Sequence, residues 1–79
     1  MVFGSLLRTI RLQRYLTQRE FSEYVDIPLS TLKQWEKGLY LPSLTNFKKL
    51  LRCKNFTMKL KNELKTAYER DKIECMNNL

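Results

Sequence analysis

Between Pro28 and Gly38 the chain reads LSTLKQWEK. Wound at about 100° per residue, this stretch places Leu29, Ser30, Lys33, Gln34 and Lys37 on one face, with Thr31 at its edge, and Leu32 and Trp35 on the other. The first set is rich in groups that suit the edges of nucleic-acid bases. It offers an amide that both donates and accepts, ammoniums that reach purine acceptors, hydroxyls, and an aliphatic side chain that fits a thymine methyl. An ordinary solvated helix face has a similar composition, so the setting must decide. Trp35 could stack on a base, but its i, i+3 phase with Leu32 assigns it to the core, and Tyr15 and Tyr24 are read as packing residues too.

Other chemistry is poorly supplied. The chain has no histidine, and its two cysteines, Cys53 and Cys75, show no CxxC spacing, which argues against zinc. It lacks the usual general base, any nucleophile elbow and any glycine-rich phosphate loop. The expectation is a protein that is not an enzyme and that takes no cofactor, metal or small-molecule ligand.

Seventy-nine residues make one domain, which at this size buries only about 60% of the surface of the unfolded chain. Two glycines and two prolines are too few for the turns of a small β-domain, and the abundance of Leu, Lys and Arg points to an all-α, compact five-helix bundle. Fifteen Lys and Arg stand against eight Asp and Glu, a net charge of +7, so a polyanionic partner is expected. The charge is uneven. Residues 1–56 hold ten basic and four acidic side chains, whereas residues 57–79 hold five and four. No apolar run approaches the ~18 residues of a spanning helix, and MVFGSLLRTIRLQ is too charged for a signal peptide. A cytoplasmic location and no membrane partner follow as expectations.

The elements that must carry the polar face are marked by local signals. A helix over residues 5–14 opens on Ser5 as N-cap, with Leu6, Leu7 and Ile10 as its apolar stripe and Phe3 stapled on from outside. Thr17 begins a second helix, and Glu20 three residues later completes a capping box. Pro28 disfavours helical geometry at Ile27 and has no N–H to donate, so that helix stops at Asp26, while proline suits the first turn of the next one. Two helices joined this tightly must cross steeply. Phe21 and Val25 face inwards from the first, Leu32 and Trp35 from the second, and small Ser22 lets the axes approach. After Gly38, a C-cap, Ser43 opens a fourth helix with Leu44, Phe47, Leu50 and Leu51 turned inwards.

The stretch from about Leu7 to Phe56, and above all LTQREFSEYV, STLKQWEKG and LPS, resembles the lambda-repressor and Cro-like helix-turn-helix domains, the XRE family. The resemblance implies a sequence-specific double-stranded DNA-binding transcriptional regulator, a repressor of phage or mobile-element type, with the helix at about 28–37 in the major groove. By this resemblance Leu29, Ser30, Thr31, Lys33 and Gln34 contact bases, while Gln18, Arg19, Lys37, Tyr40, Thr45 and Asn46 contact phosphates. Arg11 and Glu36 match a partly buried ion pair that joins the first and third helices of the family and orients the recognition helix. The chain departs from the family pattern in having Asp26 where glycine is common in the turn, and Pro28 where a Ser or Thr cap is usual.

Residues 1–56 are thus expected to form the DNA-binding core and residues 57–79 a C-terminal helix packed on it. That helix starts at Thr57 and carries Leu60, Leu64, Ala67 and Tyr68 as a stripe, which Asp71 and Lys72 interrupt before Ile73, Cys75 and Met76. It is too long for one small core to cover, and the family's habit of dimerising makes a second copy on a two-fold operator the expected partner. The alternative is a protein-interaction module, such as an antitoxin or adaptor that binds a partner protein through this helix. RNA binding is disfavoured because the aromatics are phased into the core.

Overall fold

The structure, a computed structural model, describes residues 2–77. The outer limits of the two expected segments, residue 1 and residues 78–79, lie outside the described residues. The described chain is all-α, with helices α1 (Val2–Gln13), α2 (Gln18–Val25), α3 (Leu29–Glu36), α4 (Leu44–Leu51) and α5 (Met58–Asn77). Packing runs through α1, which lies against α5 and α3, and α2 crosses α3.

Three consecutive helices end in the same way. Tyr15, Asp26 and Gly38 each take left-handed backbone, with φ of 57°, 58° and 75°. At each, the next residue's N–H reaches back to a carbonyl five positions earlier: Leu16 to Arg11, Ile27 to Ser22 and Leu39 to Gln34. This is the Schellman closure, which normally uses glycine because a Cβ is strained there. Glycine occupies only the third position. Asp26 tolerates the geometry better than most residues. Tyr15 does not, and it is not the packing residue expected, because it stands 94% exposed.

Helix starts divide into local and borrowed caps. Thr17 Oγ accepts from the Glu20 N–H at 3.1 Å and the Glu20 carboxylate accepts from the Thr17 N–H at 2.9 Å, so the capping box is complete. Ser43 and Thr57 cap α4 and α5 through the Asn46 and Leu60 N–H groups. Helix α1 differs from its expected form. It begins at Val2, three residues before Ser5, and Phe3 is a helical residue of the innermost core, not an outside staple. Phe3, Leu7 and Ile10 keep i, i+4, i+7 spacing and are all buried, which extends the apolar face one turn towards the N-terminus.

Phe3 is the hub of that core. Its ring meets Trp35, Phe47 and Tyr68 edge-on at centroid distances of 6.2, 5.9 and 6.0 Å, and Phe47 stacks on Tyr68 at 4.0 Å. Three other helices therefore converge on the first turn of α1. Leu44 and Asp71 also depart from their expected places. Leu44 points outwards and is 56% exposed, because Phe47 and Leu50 already fill the inner face of α4. Asp71 does not interrupt the stripe of α5: it continues the buried face of Leu64, Ala67 and Tyr68 and is itself fully buried. Ile73 and Met76, beyond it, are 58% and 65% exposed.

Candidate nucleic-acid interface

Helix α3 is divided lengthwise. Leu32 and Trp35 are buried, while Ser30, Lys33, Gln34 and Lys37 are exposed and Leu29 and Thr31 lie half-buried at the margins. The start of α3 follows from Pro28, whose carbonyl accepts from the Leu32 N–H at 3.0 Å although it offers no side-chain cap. Together with Asp26, which turns the chain, it places the polar face of α3 on the outside of the α2–α3 crossing.

The far end of α3 is clamped by an ion pair. Arg11 Nε donates to both Glu36 oxygens, at 2.9 Å to Oε2 and 3.2 Å to Oε1, and Arg11 Nη2 donates to Oε1 at 2.9 Å. The two side chains retain only 11% and 3% of their accessibility. A carboxylate at the C-terminal end of a helix faces the negative end of the dipole, so the bidentate guanidinium is what makes Glu36 tolerable there. Arg11 Nη1 also donates to the Leu16 carbonyl at 2.9 Å, so one side chain fastens α1, the α1–α2 link and α3 together.

Gln18 joins this cluster. Its Nε2 lies 3.4 Å from Glu36 Oε1, which ties the first residue of α2 to the last residue of α3. Arg19 is exposed beside it. The capping box engages the Glu20 N–H, leaving the Gln18 and Arg19 N–H groups free of any intrahelical acceptor, as at every helix start. Lys37 and Tyr40 stand exposed just past the end of α3, and Thr45 is exposed on the first turn of α4. Asn46 is half-buried, with its N–H on Ser43 Oγ at 3.3 Å. The contacts thus bring together Arg11, Gln18 and Glu36. The remaining candidates share no side-chain hydrogen bond with one another and are placed by their own helices and loop.

Sequence reasoning missed the residues that seat this face from behind. Gly4 of α1 lies so close to the Trp35 carbonyl that a Cβ would collide with it, and Glu36 O would be only 3.3 Å away. The Tyr68 hydroxyl donates to the Pro42 carbonyl at 2.8 Å in a buried bond, fixing the loop that carries Tyr40. The Asp71 carboxylate caps α1. A signal for Asp71 was available, since it falls three and four residues after Tyr68 and Ala67, and a carboxylate on an apolar stripe implies a buried partner. No such signal marks Gly4.

Against known protein families, residues 7–53 match the family model described as helix-turn-helix, more than half of the chain. No curated protein and no solved structure matches it.

Proposed function

Because the chain belongs to the lambda-repressor-like branch of the helix-turn-helix family, whose members are DNA-binding transcription regulators and not enzymes, we propose that it is a repressor of phage or mobile-element type that lays α3 in the major groove of a two-fold operator. The observation that carries this reading is the division of α3: one face buried and clamped, the other polar, cationic and free. A reading helix must be held from behind if its side chains are to meet base edges in one register.

In this reading Gln34 pairs with adenine, Lys33 with guanine acceptors and Leu29 with a thymine methyl, with Ser30 and Thr31 beside them. Gln18, Arg19, Lys37, Tyr40, Thr45 and Asn46 meet phosphates and set the register. An amide nitrogen carries two hydrogens, so Gln18 serves Glu36 with one and a phosphate oxygen with the other. The protein works as a homodimer in the cytoplasm, its copies joined through the region of α5, where Ile73 and Met76 are left wet. No helix among the described residues is long and apolar enough to cross a membrane.

Selection of bound duplexes from a random pool tests the proposal, followed by titration of the winner at several salt concentrations. A two-fold sequence with half-site centres about 10 bp or a multiple apart is expected, together with affinity that falls steeply with salt. Enrichment of no sequence would sink it. The exposed apolar end of α5 favours a second reading, a module that captures a partner protein; salt-insensitive binding of one protein with no duplex bound would support that instead.

A further inference from the structure

We propose that Asp71, on the C-terminal helix, is a positioning residue for DNA recognition: it caps the N-terminus of α1 and, through α1, sets where α3 ends. The proposal rests on the reading of α3 as the groove-entering helix.

The Asp71 carboxylate is fully buried and both of its oxygens are engaged by backbone. Oδ1 accepts from the Val2 N–H at 2.8 Å and Oδ2 from the Phe3 N–H at 2.7 Å. The first N–H groups of a helix have no partner within it and carry the positive end of its dipole. A carboxylate is the matching group, and it ordinarily comes from the residue that precedes the helix. Here it comes from another helix, 68 residues along the chain from Phe3. The cap is therefore also a tie that fixes α1 along its own axis relative to α5.

What lies one residue further on makes that tie matter for α3. Phe3 sets its ring edge-on to Trp35, and Gly4 meets the Trp35 carbonyl with no room for even a methyl group. Close-packed contacts of this kind transmit displacement and do not absorb it. A shift of the first turn of α1 is thus passed to the last turn of α3, where Gln34 and Glu36 flank Trp35. A carboxylate that only stabilised the fold would leave the native position of that turn unchanged when it was altered.

Trp35 is the only tryptophan in the chain, so its emission reports on the end of α3 in the absence of DNA. Asp71→Asn in the full chain, read below its unfolding transition, is expected to change the Trp35 emission maximum and its quenching by acrylamide. It is also expected to lower the ratio of operator to scrambled-duplex affinity by roughly tenfold, about 1.4 kcal/mol. Thr57→Ala is the control, since the Thr57 hydroxyl caps the opposite end of α5 through the Leu60 N–H and touches neither Phe3 nor α3; it should lower the unfolding midpoint and move neither reading. If Asp71→Asn lowers the midpoint but leaves either the emission or the ratio at the parental value, the proposal is overturned. If Asp71→Asn does not fold, Val2→Pro takes its place, because it deletes one of the two donors at a helix start where proline is tolerated, and the same results decide. A parent chain that prefers no duplex overturns the groove reading itself, whereas an intact parental preference with unmoved Trp35 emission overturns only the role of Asp71.

Discussion

The α2–α3 pair and the α1–α5 pair are held by contacts of opposite range. Helix α2 starts on a box closed within four residues, turns at Asp26 and hands over to a proline-started α3. Helix α1 has no cap of its own type in the described chain: its first two N–H groups are satisfied from α5, and its Phe3 ring is surrounded by side chains from α3, α4 and α5. The α2–α3 pair is therefore shaped locally and seated remotely. Local signals say that two helices cross, while the remote contacts say where the crossing is held relative to the rest of the bundle.

The largest effect is expected at the remote contacts. Phe3→Ala empties the point where four helices meet and is expected to cost about 3–5 kcal/mol of stability, measured by urea unfolding followed at Trp35. A cost below about 1 kcal/mol would mean that the first turn of α1 is an adhering flap and not the hub of the core.

On the outer face of α3, under the proposed groove reading, Gln34→Ala is expected to cost about 1–3 kcal/mol on the preferred operator and to relax base choice at one position. With Gln18 on a phosphate, as proposed, Gln18→Ala should weaken binding to every duplex alike, because a phosphate carries no base identity. Titration of both folded variants against operator and scrambled duplex separates them. If folded Gln34→Ala discriminates as the parent does, α3 is not the reading helix.

The local cap is the next smaller effect. Thr17→Ala is expected to cost about 1 kcal/mol, seen as a lower unfolding midpoint with the operator preference retained. The backbone and hydroxyl of Thr17 hold the exposed Glu20 carboxyl below the ordinary carboxylate range. A carboxyl with a depressed folded pKa stabilises the fold above its unfolded pKa and loses that contribution as pH falls through the folded value. The difference in midpoint between the parent and Glu20→Gln should accordingly be present at neutral pH and vanish in strong acid. A difference that grew on acidification would contradict the capping box as the cause.

The smallest expected effect is a gain of stability at a local closure. Tyr15 holds left-handed backbone with its side chain almost wholly in water, so Tyr15→Gly removes strain and little packing. A gain of up to about 1 kcal/mol is expected, read from thermal unfolding. A loss instead would show that the Tyr15 ring makes a contact in solution that matters to the fold.

Much of the α2–α3 pair is legible in the sequence because its determinants are close along the chain. T-x-x-E, the Asp26–Pro28 break and the phase of Phe21, Val25, Leu32 and Trp35 all act within one or two helical turns. The start of α1 was misplaced because Ser5 is a good cap by type, whereas the residue that caps α1 lies at position 71. Leu44 was assigned inwards because periodicity marks a face without saying how much of it neighbouring rings already fill. Tyr15 reads from the sequence as a packing residue, and nothing in its neighbourhood announces a left-handed closure without glycine.

An all-α chain, a tight helix–turn–helix, a basic front and a polar outer face on α3 can be read from the residues alone, since propensity, capping and helical phase depend on neighbours along the chain. The folded molecule alone reveals that Gln18 shares Glu36 with the expected Arg11 partner, that Gly4 rests on the Trp35 carbonyl, and that a carboxylate on α5 closes α1. Those are contacts between residues 18 to 69 positions apart. Their strength comes from burial and from the satisfaction of charges and N–H groups that would otherwise be stranded, conditions that exist only once the helices have met.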